Sequence, residues 1–263
     1  MIICLSACTC QPLFSKGKEY GNNPASGKYY SVRGINFYAE QYGKGLPLLL
    51  IHGNGGSINS MSDIIPYFSK KYHVIAVDSR AHGKSTDSND SLSFEMMADD
   101  MAALLEQLKV DSVYVIGWSD GGIVALEMGL RHPEKVIKLA STGANIRPDS
   151  TALLPSLWLE EKQYYESHKN EILSTANDRN AWKVFLLDWM QPNLPNEALH
   201  NIKCPALIIA GDRDLICPEH TLQIFQNIPS ARLWIVPDSG HATLNEHTTD
   251  FCKIVNDFFI GKR

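Results

Sequence analysis

Hydrophobic and polar residues alternate in two short runs near the start of the chain, over residues 29–32 and 36–41. Alternation with a period of two is typical of a β-strand that buries one face. The dipeptide Arg33-Gly34 lies between the two runs. This spacing predicts an antiparallel hairpin.

Beyond the hairpin the apolar residues form short continuous runs. These runs cover residues 46–51, 74–77, 113–116, 136–140, 206–210 and 233–236. Strands that are buried on both faces of a parallel sheet have this pattern. Helix-like stretches separate most of the runs, over residues 61–70, 94–108, 123–131, 220–226 and 248–260. Strand and helix in alternation predict an α/β fold, a mostly parallel sheet flanked by helices.

The connection between residues 144 and 202 is much longer than the others and has no strand pattern. A structureless loop of that length is uncommon in a compact domain, so the segment predicts an inserted helical cap, residues 146–199. We expect the cap to roof the site and to pack on the core, residues 28–145 and 200–263. Residues 1–27 are predicted to be a flexible tail. The cap side chains expected to contact the core are Trp182, Phe185, Leu186 and Trp189.

Composition excludes several classes of function. The chain has 263 residues and a net charge of -5, with 24 basic and 29 acidic residues in no long run of one sign. That balance gives no electrostatic footprint for nucleic acid. The six cysteines have neither zinc-site nor disulfide-framework spacing. We expect a small-molecule substrate, no metal and no cofactor, and the sequence gives no indication of oligomeric state.

The amino terminus carries a separate signal. Residues 5–8 read LSAC and are followed by a polar stretch over residues 11–28. This arrangement resembles the lipobox and tether of bacterial lipoproteins, in which the residue matching Cys8 is lipidated. Seven residues precede Cys8 and none is basic. The favoured interpretation is an exported lipoprotein attached to the cell envelope only through Cys8, and the alternative is a cytoplasmic protein with a disordered tail.

Residues 117–122 read GWSDGG and place Ser119 between an apolar run and a helix-like stretch. A serine at a sharp strand-to-helix turn is a nucleophile elbow, and the turn needs small residues two positions to either side. Gly117 and Gly121 meet that need. The alternative is a glycine-rich turn with an incidental serine.

A serine nucleophile needs a base and a third group that orients the base. His241 follows the apolar run 233–236, and both Asp212 and Asp214 follow the run 206–210. The order serine, aspartate, histidine is that of the α/β-hydrolase arrangement. Ser119, Asp214 and His241 are therefore the predicted catalytic triad, with Asp212 as the competing acid.

Acyl transfer also needs donors for the negative charge on the carbonyl oxygen. Residues 52–56, HGNGG, follow the first parallel run, and their small side chains allow backbone amides to face a ligand. The backbone N–H groups of Asn54 and Asp120 are the predicted oxyanion hole. We expect His52 to hold this loop in place and His82 to lie on a loop surface.

Together these motifs resemble the α/β-hydrolase superfamily. HGNGG, DSRAHGKS at residues 78–85, the elbow, GDRDLICP at residues 211–218 and SGH at residues 239–241 occur in the family's order. The resemblance implies the α/β-hydrolase fold. It favours Asp214 through the family's G-x-x-D-x-x-x-P loop, and His82 replaces a residue that is often glycine. A serine at the elbow argues against the dehalogenase and epoxide hydrolase branches, which use aspartate there.

Within the superfamily, residues 117–123 and 203–208 resemble most the biphenyl-hydrolase-like group, which includes valacyclovir hydrolases. In that group the aspartate after the serine is implicated in holding the substrate's α-amino group. The resemblance implies a substrate-binding role for Asp120, to which we add its neighbour Trp118. The alternative is that Asp120 caps the following helix, where a carboxylate is favourable.

The predicted function is a serine hydrolase that cleaves a small carboxylic ester, with an amino acid ester as one option, through an acyl-enzyme intermediate. A carbon-carbon bond hydrolase, an enol-lactonase and a cofactor-free haloperoxidase or perhydrolase are alternatives on the same triad. A hydrolase-fold small-molecule receptor is an alternative of another class, since one fold hosts many functions.

Overall fold

The computed structural model describes residues 19–89 and 91–261. Within these ranges eight strands form one sheet in the order β1-β2-β4-β3-β5-β6-β7-β8. The strands are β1 Gly27–Val32, β2 Ile35–Tyr42, β3 Leu46–Ile51, β4 Tyr72–Val77, β5 Val113–Trp118, β6 Val136–Thr142, β7 Ala206–Gly211 and β8 Ala231–Val236. Strand β2 runs antiparallel to β1 and β4, and all other neighbours are parallel. The predicted α/β architecture, with a mostly parallel sheet, is confirmed.

Helices pack on both faces of this sheet. The described helices are α1 Ile65–Phe68, α2 Phe94–Gln107, α3 Asp120–Arg131, α4 Pro155–His168, α5 Ala176–Met190, α6 Asn196–Leu199, α7 Pro218–Asn227, α8 Thr243–Glu246 and α9 Thr248–Phe259. Of these, α4 and α5 lie in the long connection between β6 and β7. The helix predicted over residues 61–70 is wrong as a single element. A 3-10 turn, Ile58–Met61, is followed by the single turn α1. Pro66 stands at the start of α1, where its missing N–H costs nothing, whereas a continuous helix would have placed it in the interior.

The strand patterns follow from burial on both faces. Successive side chains of a strand point to opposite sides of a sheet. In β3, Leu49 and Ile51 join an apolar cluster that includes α2 and α3, while Leu48 and Leu50 join a second cluster that includes α9. Both faces of β3 are therefore covered, and the run is apolar throughout.

Residues 146–199 contain α4, α5 and α6 and no named strand. Of the α5 side chains expected to contact the core, Trp182 and Leu186 line a crevice together with Asp87, whereas the aromatic rings of α5 contact rings of α4. The rings of Trp182, Phe185 and Trp189 contact the rings of α4 and one another. Val184 and Leu187 of α5 join the main core cluster instead. Residues three apart share a helix face, so the two sets point in different directions.

The lipoprotein prediction depends on Cys8, which lies outside the described residues. Across residues 19–89 and 91–261, the structure contains no helix with the length and apolar character needed to cross a bilayer.

Candidate active site

Ser119 occupies the turn between β5 and α3 with φ 55° and ψ −120°, a strained backbone for a residue with a side chain. The chain is tightly packed there. A Cβ at Gly117 would lie 1.9 Å from the Gly121 carbonyl oxygen, and one at Gly121 would lie 2.1 Å from the Ile51 carbonyl oxygen. Only glycine fits at either position, so the two glycines allow the turn that exposes Ser119.

The structure brings Ser119, His241 and Asp214 together. The His241 Nε2 lies 2.9 Å from the Ser119 Oγ, and the His241 Nδ1 lies 2.6 Å from the Asp214 Oδ1. With the proton on Nδ1 donated to Asp214, Nε2 is free to accept the serine proton. The Asp214 side chain is fully buried and that of His241 is 21% exposed. Such an arrangement can deprotonate a serine and stabilise the resulting imidazolium.

Geometry separates the two candidate acids. Asp214 accepts a hydrogen bond from the Ile216 backbone N–H at 3.1 Å, which orients its carboxylate towards His241. Asp212 accepts instead from the Ser239 backbone N–H at 3.2 Å. Asp212 thus links the two loops that carry the acid and the base, and Asp214 contacts the imidazole.

Three neighbours hold the His241 loop. The Trp118 indole N–H donates to the His241 carbonyl oxygen at 2.9 Å, and Glu246 accepts from the Gly240 N–H at 2.6 Å. Gly143 has φ 63°, and a Cβ there would lie 2.9 Å from the His241 Cε1. Trp118, predicted to bind substrate, thus already uses its N–H to hold the base. Sequence reasoning missed Gly143 and Glu246, although a glycine directly after a buried strand was a visible signal for Gly143.

The loop after β3 packs directly against Ser119. A Cβ at Gly53 would lie 2.9 Å from the Ser119 Cβ. His52 holds this loop, since its Nε2 accepts from the Ser79 N–H at 3.0 Å and its Nδ1 donates to the Gly53 carbonyl oxygen at 2.7 Å. Burial, helped by the adjacent His82, lowers the pKa of His52 to about 3, so the ring is neutral. Asn54 is the next residue after Gly53. The backbone N–H groups of Asn54 and Asp120 therefore belong to the β3 loop and to the start of α3, the two segments that meet at Ser119.

His82 is not on the surface, so that expectation is wrong. Its side chain is buried, with 5% exposure, and its ring centroid lies 5.3 Å from that of His52. Two residues of this loop have a positive φ, Ala81 at 65° and Gly83 at 51°. Ala81 therefore occupies the first glycine position of the family's D-x-R-G-x-G-x-S segment, and the turn directs His82 inwards, where its Nδ1 donates to the Arg80 carbonyl oxygen.

Asp120 is 2% exposed, and its carboxylate contacts the Asn54 side chain, which also contacts α5. The Asn54 Nδ2 donates both to the Asp120 Oδ2 at 3.0 Å and to the Val184 carbonyl oxygen at 3.1 Å. One turn further along α5, Asp188 shares a hydrogen bond with Asp120. Burial, and then the charge of Asp120, raise the pKa of Asp188 well above its usual range.

A third carboxyl group completes this acidic cluster, which consists of Asp120, Asp188 and Glu161. Burial, and then the charge of Asp120, raise the pKa of Glu161 in α4 to about 7. Its Oε2 is buried and has no hydrogen-bond partner among the described residues. The sequence analysis missed Asp188 and Glu161, and the only available signal was an acidic residue on each of two aromatic-rich helices.

The cluster is not a metal centre by geometry. Within the part of the chain that the structure describes, no three His, Cys, Asp or Glu side chains are grouped closely enough to hold a metal ion. Carboxyl groups crowded in a buried place favour either a shared proton or an organic cation.

Comparisons with known proteins agree with this architecture. A family model for the alpha/beta hydrolase fold matches residues 47–188, more than half of the chain. The human serine hydrolase BPHL is 26% identical over 266 aligned positions, which cover 94% of this chain and 90% of that protein. The 2-hydroxymuconate semialdehyde hydrolase of Pseudomonas sp. (strain CF600) is 27% identical, with coverages of 90% and 95%.

Solved structures share the fold. The enol-lactonase from Burkholderia xenovorans LB400 matches with a TM-score of 0.72 at 21% identity, over 89% of this chain and 100% of that chain. A thermophilic esterase from Thermogutta terrifontis matches with a TM-score of 0.73 at 22% identity, over 89% and 98%. The chain therefore belongs to the α/β-hydrolase fold family and is a serine hydrolase.

Proposed function

We propose that the protein hydrolyses small carboxylic esters whose acyl group carries a protonated amine, as amino acid esters do. The observation that carries the proposal is the acidic cluster beside Ser119. Asp120 directly follows the nucleophile in the chain, so an ammonium group close to the scissile carbonyl lies within reach of its carboxylate. The alternative role of Asp120, a favourable charge at the start of α3, requires neither Asp188 nor Glu161.

In the first half of the reaction the Ser119 Oγ attacks the ester carbonyl carbon and its proton passes to the His241 Nε2. Asp214 holds the His241 Nδ1 proton and stabilises the imidazolium. The backbone N–H groups of Asn54 and Asp120 bind the oxyanion. Each such donor contributes about 10²- to 10³-fold to the rate of comparable hydrolases. Collapse of the intermediate breaks the ester bond, and the alcohol leaves with the proton from His241.

In the second half, water attacks the carbonyl of the acyl-Ser119 ester. His241 accepts a proton from this water and returns it to the Ser119 oxygen as the acyl bond breaks. The products are the carboxylic acid and the free serine. The same base therefore serves both halves, as in the serine hydrolase mechanism.

Electrostatics favour a cation in the acyl part. Burial, and then the negative charge of Asp120, raise the pKa values of Asp188 and Glu161, so repulsion adds to the cost of ionising these groups. A bound ammonium group would offset this repulsion and supply donors for the Asp120 carboxylate and the Glu161 Oε2. Some relatives act on acids. One is the 2-hydroxy-6-oxo-6-(2'-aminophenyl)hexa-2,4-dienoic acid hydrolase of Metapseudomonas resinovorans. The acidic cluster would repel the carboxylate of such a substrate.

The test compares an amino acid ester with its des-amino analogue. We expect the wild-type protein to prefer the amino acid ester, and Asp120→Asn, which keeps the backbone N–H, to lose most of that preference. Equal preference in the two proteins would rule out amine binding by Asp120. Faster turnover of a vinylogous diketone, an enol-lactone or acetate with peroxide would favour the alternatives on the same triad. An acyl-enzyme burst without sustained turnover would favour a receptor.

A further inference from the structure

Lys183 on α5 is a buried lysine held by the core. Its side chain is 8% exposed, and its Nζ donates to the Asn89 carbonyl oxygen at 2.7 Å and to the Asp87 Oδ2 at 3.3 Å. The Asp87 side chain is 1% exposed. Buried charges of this kind are retained only where they are paired, and removal of one partner leaves the other uncompensated.

The core end of this bridge is itself anchored. The Asp87 Oδ1 lies 3.5 Å from the Arg80 Nη1. The Arg80 guanidinium forms a fork with Asp100 of α2, with distances of 2.6 Å and 2.8 Å. A bidentate pair fixes both position and orientation. Lys183 is thus tied through Asp87 to a rigid part of the core.

On α5, the residues next to Lys183 contact residues of the candidate active site. Val184, the next residue of α5, accepts the Asn54 side-chain hydrogen bond, and Asn54 also donates to Asp120. Asp188, one turn later, shares a hydrogen bond with Asp120. Because a helix rises about 1.5 Å per residue, a one-residue slip of α5 would remove both contacts at once.

The helix has room to move if the bridge is lost. A crevice of about 280 Å³ lies along this side of α5. Its lining includes Leu173, Arg179, Trp182 and Leu186, together with Asp87 and Lys183. Val184 and Leu187 pack into the core on another face of α5, so on the crevice side it is the polar contacts of Lys183 that fix the helix.

We propose that Lys183 is a positioning residue, whose buried bridge to Asp87 sets α5 over the nucleophile and so places the Val184 carbonyl and Asp188 against Asn54 and Asp120. The consequence for the amine preference rests on the proposed function. The positioning of α5 by Lys183 does not depend on the proposed function, because hydrogen exchange measures the stability of α5 without substrate.

The experiment uses the full chain and four variants. Lys183→Met removes the ammonium group and keeps the length of the side chain, Lys183→Arg keeps the charge, and Asp87→Asn weakens the bridge from the other side. Lys162→Met is the matched control, since the Lys162 Nζ lies over the Trp158 ring of the same helix, α4. Three quantities are measured: hydrogen exchange of peptides covering residues 176–190, kcat/KM for an amino acid ester and its des-amino analogue, and labelling of Ser119 by a small fluorophosphonate.

We expect Lys183→Met to speed exchange in α5 and to lower kcat/KM for the amino acid ester about tenfold or more relative to the des-amino ester, since small displacements of binding groups are costly. Phosphonate labelling should stay within about threefold, because the triad itself is built on β5, β7 and β8 loops. Lys183→Arg should recover most of the loss, and Lys162→Met should match the wild type. If Lys183→Met does not fold, Asp87→Asn carries the same expectations.

Unchanged α5 exchange in both Lys183→Met and Asp87→Asn would overturn the proposal. So would an equal loss for the two esters and the phosphonate, which indicates general destabilisation. If the wild type shows no amine preference while α5 exchange responds to Lys183→Met, the proposed substrate class fails and the positioning of α5 by Lys183 is supported.

Discussion

The indole N–H of Trp118 donates a hydrogen bond to the carbonyl oxygen of His241 at 2.9 Å, so the residue before Ser119 holds the backbone of the proposed base. A neutral hydrogen bond of this kind contributes about 0.5–1.5 kcal/mol, or up to roughly tenfold in a rate that depends on it. The contact links the two loops on which proton transfer depends.

Trp118→Phe tests this link, because it keeps an aromatic ring and removes the N–H group. We expect kcat to fall by up to about tenfold with little change in KM, since a misplaced base slows chemistry without weakening ground-state binding. Steady-state kinetics on one ester measure both. A rise in KM at constant kcat would instead support the substrate-binding role assigned to Trp118 from the sequence.

The triad assignment predicts a much larger loss. Ser119→Ala or His241→Ala should lower ester turnover by about 10⁴-fold or more, because the groups act as a unit. Circular dichroism and the melting temperature should stay close to wild type. His200→Ala is the control, since His200 is an exposed histidine whose side chain contacts Asn227 and is not part of the proposed triad. Near wild-type turnover in either triad variant would contradict the assignment.

The main features of this site could be predicted because strand order alone determines them. Ser119, Asp214 and His241 each follow a continuous apolar run, and the carboxyl ends of parallel strands meet at one edge of a sheet. The acidic cluster could not be predicted in this way. Asp188 reaches Asp120 only because α5 is rotated so that its aliphatic face meets the core. The sequence of α5 has an aromatic face as well, and either face could have been the one that packs on the core, so the rotation could not be predicted.

The error at His82 has a different cause. The sequence comparison places His82 at the first glycine of the D-x-R-G-x-G-x-S segment. The positive φ of Ala81 shows that Ala81 occupies that position and that His82 is the residue after it. A shift of one residue in a tight turn exchanges inward and outward side chains, so a loop motif read without its turn geometry gives the wrong burial.

Gly143 offers a test in which backbone strain and active-site contact can be separated. Gly143→Ala adds strain at φ 63° and places a Cβ 2.9 Å from the His241 Cε1. Gly34→Ala adds strain at φ 86° in the β1–β2 turn, where a Cβ would meet nothing within 4 Å. Strain of this kind costs about 1–2 kcal/mol in both variants.

We expect both alanine variants to lower the free energy of unfolding, measured by denaturant titration, and Gly143→Ala to lower it by at least as much as Gly34→Ala because of its added contact with His241. Only Gly143→Ala should also lower kcat, by about tenfold or more, because it displaces the His241 ring from Ser119 and Asp214. If Gly34→Ala loses as much activity as Gly143→Ala, the effect comes from stability and not from the contact with His241.

The raised pKa of Glu161 predicts how the substrate preference depends on pH. A carboxyl group with a pKa of about 7 is neutral below that value and charged above it. The attraction for an ammonium group should therefore grow as pH rises through about 7. Asp188, whose pKa is also raised, acts in the same direction. The suitable substrate is an ester of a β-amino acid, whose amine stays protonated over this range.

The quantity to measure is the ratio of kcat/KM for this ester to that for its des-amino analogue, from about pH 6 to about pH 8. A pH effect on the chemical step itself is common to both esters and cancels in the ratio. We expect the ratio to rise with pH in the wild type and to be nearly flat in Glu161→Gln, which keeps the shape of the side chain and cannot ionise. A ratio that falls with rising pH, or the same rise in Glu161→Gln, would show that Glu161 does not face the substrate's amine.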